Sequence, residues 1–261
     1  MAFENSPFRT GAPTAGYVGT QVDVDQGLRS FMLGVYNNMV VGLAISGLVA
    51  LGLNMAAVAT SQADMVARVG SVPLTQFGAF LYGGPMKWVL MLAPLAFILV
   101  FSFRMDRMSP ASARLAFFAF AAVMGASMST LLLVFTGASV VRVFFITAAT
   151  FGGLSLYGYT TKRSLSGMGS FLIMGLIGLI IASLVNIFLA SSALQFAISV
   201  VGVLIFAGLT AYDTQKLKEM YLYSGFDGEG AAKLAVNGAL TLYLDFINMF
   251  QMLLSLLGDR R

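Results

Sequence analysis

Seven stretches of the chain are apolar over about the length of a membrane-crossing helix: residues 30–53, 86–103, 112–135, 142–159, 168–189, 194–217 and 231–257. An α-helix of roughly 20 such residues spans the hydrocarbon core of a bilayer, and it satisfies its own backbone there. The pattern therefore predicts an all-α membrane protein with seven transmembrane helices. Residues 1–28 are polar and rich in Gly, Thr and Pro. They lack the basic-then-apolar order of a signal peptide and are expected to form a disordered cytoplasmic tail. Residues 29–261 are expected to form one transmembrane domain. The connection 54–85 contains Asp64 and Arg68, ends in a Gly/Pro-rich half and has room for a short interfacial helix. Pro94 should kink the second span, because proline removes a backbone hydrogen bond.

Small residues recur at close-packing intervals. Gly42, Ser46 and Ala50 stand four apart in the first span, and Gly178 and Ala182 do so in the fifth. Such faces let helix backbones approach, whether inside the bundle or against a partner helix.

The last stretch is the least ordinary. Asn237, Thr241, Asp245, Asn248 and Gln251 follow at spacings of 4, 4, 3 and 3, which gathers them on one helix stripe. A carboxylate at mid-helix costs about 3 kcal/mol on insertion scales, so this stripe cannot face lipid. The C-terminal helix should therefore be central, enclosed by the other six. A polar seam that only joins helices is the plainer explanation, but an ionisable residue within a membrane helix is by default a functional group.

Composition narrows the chemistry. The chain is 58% hydrophobic and 10% charged, which leaves no material for a soluble module. It has no Cys and no His, so thiolate and imidazole chemistry and the commonest metal ligands are excluded. No resident cofactor or metal is expected. No Gly-rich phosphate loop follows a strand, and the net charge of +4 comes from loop Lys and Arg rather than from a nucleic-acid surface. With seven spans, ten Lys and Arg fall on the N-terminal side and five on the other. This places the N-terminus in the cytoplasm and the C-terminus outside.

A second acid, Asp213, lies near the end of the sixth span in GLTAYDTQKLKEMY. It could simply meet water or Lys216. The sixth and last spans run antiparallel, so Asp213 and Asp245 approach the same membrane face. The turn signals at Ser224-Gly225 and Asp227-Gly228 lie nearer Asp213, leaving a height offset of roughly 9 Å at 1.5 Å per residue. Spacing permits the pair without requiring it.

AYDTQKLKE followed by LYLDFINMFQMLL, together with YGYTTKRSLSGMGSFLIMGLIGLIIASLVN, resembles the bacterial branch of the Bax inhibitor-1 family over residues 29–257. The resemblance implies a last helix enclosed by two groups of three. It also implies a pH-sensitive Ca²⁺ leak in which Asp213 and Asp245 share a proton and gate a pore. By the same resemblance Arg104, in FSFRMDR at the end of the second span, lies near the two acids. Some relatives carry an acid within the second span, where this chain has Ala93 and Pro94.

The expected mechanism is a latch. The Asp213–Asp245 hydrogen bond, with Arg104, closes the mouth around the last helix, and a change of protonation opens a path lined by Asn237, Thr241, Asp245 and Asn248. Oxygen ligands suit Ca²⁺, and so thin a set binds weakly, as a leak requires. An aspartyl protease is disfavoured, because Leu242-Tyr243-Leu244-Asp245 lacks both glycines of a GxGD motif and no Pro-Ala-Leu follows. The remaining alternatives are a proton-coupled exchanger and a non-conducting regulator that binds another membrane protein, such as a membrane-embedded quality-control protease.

Overall fold

A computed structural model describes residues 21–104, 107–224 and 228–261. Most are helical: α1 (Gln21–Ala57), α2 (Gln76–Gly78), α3 (Met86–Arg104), α4 (Pro110–Met128), α5 (Leu131–Val134), α6 (Gly137–Thr160), α7 (Ser166–Leu189), α8 (Ser192–Ser224) and α9 (Gly228–Leu257). Among the described residues six helices are long and apolar enough to cross a membrane. A seventh span results if the bent pair Gln76–Gly83 and Met86–Phe101 counts as one. The chain is an all-α, multi-pass integral membrane protein.

Local sequence sets the element ends. Ser109 caps α4 by accepting the Ser112 N–H at 3.3 Å, and Thr136 does the same for α6 from Ser139 at 3.3 Å, each satisfying one N–H that the first turn leaves open. Ala190 closes α7 in the left-handed conformation, φ 49°, a position that usually falls to glycine.

The structure departs from the expectation or adds to it at three places. Helix α1 begins at Gln21, so residues 21–28 belong to the first span rather than to a disordered tail; residues 1–20 lie outside the described residues. The connection 54–85 contains an antiparallel hairpin, β1 (Ala67–Val69) with β2 (Val72–Leu74), as well as α2, which runs into a π-helical turn at Ala79–Gly83. Val72, Leu74, Leu81 and Tyr82 bury a satellite core there against Ala57, Leu90 and Leu133. Pro94 lies inside α3. A sharp bend of 59° lies between Gly83 and Met86, where Gly84-Pro85 cannot continue a helix.

The main core gathers around α9, which packs on α8, α1, α6 and α4. Tyr243, Leu242, Met249 and Leu254 are fully buried in it, with Phe117 and Phe120 edge-on to the Tyr243 ring. Glycine permits the tightest crossings. A Cβ on Gly125 would strike the backbone of Ser46, and one on Gly158 would strike that of Ala211, so α4 meets α1 and α6 meets α8 at backbone distance. The Gly42 and Ser46 face of α1 is thus spent internally, with Gly42 under the Phe117 ring. Gly178 on α7 has open space beside it.

Candidate functional site

The two acids meet. Asp213, half-buried on α8, and Asp245, 5% exposed on α9, hold their carboxyls within hydrogen-bonding reach of each other. The register of the two helices is fixed by Leu217 against Gly238, Met252 against Gly202, and Ser199 Oγ donating to Ser255 Oγ at 3.1 Å. In that register Asp213 stands about one helical turn, roughly 5 Å, from the level of Asp245. Side-chain direction closes the remainder. On both helices Cα–Cβ tilts toward the N-terminus, and because the helices are antiparallel the two tilts converge.

Ionised carboxylates only accept hydrogen bonds. Two of them in contact attract only if a proton lies between them, and they then titrate as one unit. Oδ2 of Asp245 finds no N–H or hydroxyl donor among the described residues, so the proton shared with Asp213 is the donor available to this buried carboxyl.

The cation beside the pair is Lys216, one turn beyond Asp213 on α8; its ammonium also lies 5.9 Å from the centre of the Tyr212 ring. Arg104 is exposed at the end of α3, and no ion pair joins it to either acid among the described residues. Helix α3 packs chiefly on α4, which keeps the Arg104 guanidinium at a helix C-terminus, where cations are favourable, and out of contact with the pair.

The polar stripe of α9 is its less covered face. Asn237 is exposed, and Thr241, Asn248 and Gln251 are half-buried. The Thr241 hydroxyl donates to the Asn237 carbonyl at 3.2 Å, and the Asn248 amide to the Leu244 carbonyl at 2.8 Å. Their remaining polar capacity stays open along the stripe that passes Asp245. A large groove, about 1470 Å³, lies elsewhere: it runs between α1 and α6 over Phe246, Ile247 and Phe250 and does not include the acids.

Several partners of the site were not singled out from the sequence as bonded groups. Thr214 Oγ1 donates to the Thr210 carbonyl at 2.7 Å, so it accepts from Ser155 at 2.9 Å, and Ser155 in turn accepts from the Tyr36 hydroxyl at 2.6 Å. This chain ties α1, α6 and α8 together beside Asp213. Tyr243, two residues before Asp245, bonds Ser46 at 2.7 Å, and Ser46 Oγ lies 2.7 Å from the Ala121 carbonyl. Gln215 clamps the α6–α7 loop, accepting from Leu165 N–H at 2.7 Å and donating to the Arg163 carbonyl at 2.9 Å. A usable signal was present: tyrosine and hydroxyl residues inside membrane helices need partners.

Comparison with known proteins agrees with the acid motifs. The family model described as inhibitor of apoptosis-promoting Bax1 matches residues 28–261. A Caulobacter vibrioides protein is 48% identical over 240 residues, covering 92% of each chain. A Rickettsia prowazekii protein is 46% identical over 237 residues, covering 91% of this chain and 92% of its own. The Escherichia coli inner membrane protein YbhL is 44% identical over 237 residues, covering 90% of this chain and 94% of its own. By extent and by motif, the chain belongs to the Bax inhibitor-1 family.

Proposed function

We propose that the protein is a pH-sensitive Ca²⁺ leak of the bacterial inner membrane, gated by the protonation of Asp213 and Asp245. The observation that carries this reading is the contact between the two carboxyls, one of them buried on α9. With the shared proton in place the pair ties α8 to α9. Once it leaves, two like charges stand in contact, a repulsion of about 4 kcal/mol at 4 Å and an effective dielectric of 20. That energy is worth roughly a thousandfold in an equilibrium between closed and open arrangements.

In this reading the bent pair is the second of seven spans, α9 is the central helix, and the Arg104 and Lys216 end is cytoplasmic. Asn237, Thr241 and Asn248 line the cation path beside Asp245. Lys216 rather than Arg104 supplies the charge next to the closed pair. The path offers neutral oxygens and no group of three acids among the described residues, a donor set suited to passage rather than retention. No chemical transformation is assigned to the site.

The test is Ca²⁺ entry into dye-loaded proteoliposomes, from mildly acid to mildly alkaline pH, against protein-free vesicles. Flux that varies with pH supports the leak. No flux above the protein-free rate, from protein that is helical and monodisperse, refutes it. Uphill Ca²⁺ movement under an imposed proton gradient would instead mark an exchanger.

The open face at Gly178 on α7 favours a second reading: a non-conducting regulator that docks a partner helix there, such as one of a membrane-embedded protease. Site-directed crosslinking from position 178 in native membranes separates the two. A stoichiometric adduct supports regulation, and its absence together with measured flux supports the leak.

A further inference from the structure

The groove between α1 and α6 is not used by the acid pair. Its walls carry Leu33, Leu48, Phe145 and Leu156, and its floor is Phe246 with Phe250 on α9. The residues of α1 along it run from Arg29 to Leu51, about 33 Å of helix, close to the roughly 30 Å of a hydrocarbon core. Tyr36 and Ser155 join the two walls at 2.6 Å and satisfy each other. The lining holds one charge, Arg29, at one end, and Arg29 has no ion-pair partner among the described residues. That end carries the acid pair too, for Tyr221 at the close of α8 stacks on Phe31 at 4.7 Å.

We infer that this groove binds an anionic phospholipid, with its acyl chains along the α1 and α6 walls and its phosphate on Arg29. Charge and shape both select this occupant. A ligand for the site needs one anionic group at one end and a long apolar body, because the Tyr36, Ser155 and Ser46 hydroxyls along it are already paired. Acyl chains conform to the long, irregular space between the two walls, about 1470 Å³. The lipid comes from the leaflet at the Arg29 end. It lies against Tyr36, whose hydroxyl chain reaches Thr214 beside Asp213, so occupancy bears on the position of α8.

The chain has one tryptophan, Trp88, which allows a direct test. In a Trp88→Phe background, Leu156→Trp places a fluorophore on the groove wall at a position 62% exposed, where the larger ring is tolerated and acyl chains anchored at Arg29 pass; Leu33→Trp on the opposite wall is the second reporter. Each is reconstituted in phosphatidylcholine vesicles containing brominated phosphatidylglycerol or brominated phosphatidylcholine. The expected result is roughly fivefold preference for the anionic quencher, the worth of one basic residue at an anionic surface. Arg29→Gln should abolish that preference, and Arg107→Gln, exposed outside the groove, should leave it intact. Equal quenching by both lipids overturns the proposal, as does equal loss in the Arg107 variant, which would mean surface charge alone. Protection from both quenchers also overturns it and points to a protein segment or a second copy covering the groove.

Discussion

Replacing each acid by its amide separates the roles of the two carboxyls, because their surroundings differ. In either Asp213→Asn or Asp245→Asn the new amide N–H donates to the remaining carboxylate, so the α8–α9 contact no longer requires a proton. Both variants should therefore lose the pH dependence of flux. Their stabilities should diverge. In Asp245→Asn the remaining charge sits on half-buried Asp213, beside water and Lys216. In Asp213→Asn it sits on Asp245, 5% exposed, with Oδ2 lacking any other donor. A buried charged group short of hydrogen bonds costs about 1–3 kcal/mol or more. At roughly 2–4 °C per kcal/mol for a chain of this size, Asp213→Asn should melt some 3–10 °C below Asp245→Asn at alkaline pH. The assay is thermal unfolding in detergent, followed by flux in proteoliposomes. Equal midpoints, or the reverse order, would refute the burial argument. A wild-type pH profile in either variant would remove the pair from gating.

The bond between Tyr243 and Ser46 predicts a similar asymmetry in stability. Ser46 Oγ has one proton, directed to the Ala121 or Gly42 carbonyl, so Tyr243 is the donor between the two hydroxyls. Ser46→Ala strands a buried donor and should cost about 1–3 kcal/mol, and Tyr243→Phe only about 0.5–1.5 kcal/mol; the double variant should fall short of the sum, as a thermal-denaturation cycle would report. Gly158→Val forces a side chain into the Ala211 backbone and should lower the yield of monodisperse protein more than Gly153→Val, where space is open. Arg142 pairs with Asp259 at 3.0 Å, but the side chains are 55% and 65% exposed, so Arg142→Gln should change the melting midpoint by under about 1 kcal/mol in free-energy terms.

The apolar runs carried most of the fold, because a bilayer leaves a backbone few choices. They failed where the chain leaves the hydrocarbon. Val72-Pro73-Leu74 alternates over too few positions to announce a strand, and composition shows only a start at Met86 where the structure has a second helix, Gln76–Gly83, joined to it at a bend through Gly84-Pro85. Arg104 shows the limit of resemblance: its place at a helix end was legible, but its contacts depend on which helix α3 packs against, and no spacing within one span encodes that.

The acid pair shows what spacing omits. Counting residues to the turn measures Cα levels along two axes and leaves Asp213 and Asp245 apart, whereas carboxyls are reached through Cα–Cβ vectors that lean toward each helix N-terminus. In an antiparallel pair the lean adds on one diagonal and subtracts on the other. Asp213 is the acid nearer the turn and Asp245 the one farther along, so the lean brings them together. Had the order been reversed, with the same count and the same helices, the side chains would have pointed apart. The contact between them is thus written in which acid comes first, and moving the carboxylate from position 245 to 238, two turns nearer the α8–α9 connection, should abolish it. In such a Gly238→Asp, Asp245→Asn chain the carboxylate would instead meet the Leu217 side chain that now covers Gly238. Flux should then keep no pH dependence traceable to a shared proton. A chain that retained the wild-type pH profile would show that proximity of levels, and not side-chain direction, makes the pair.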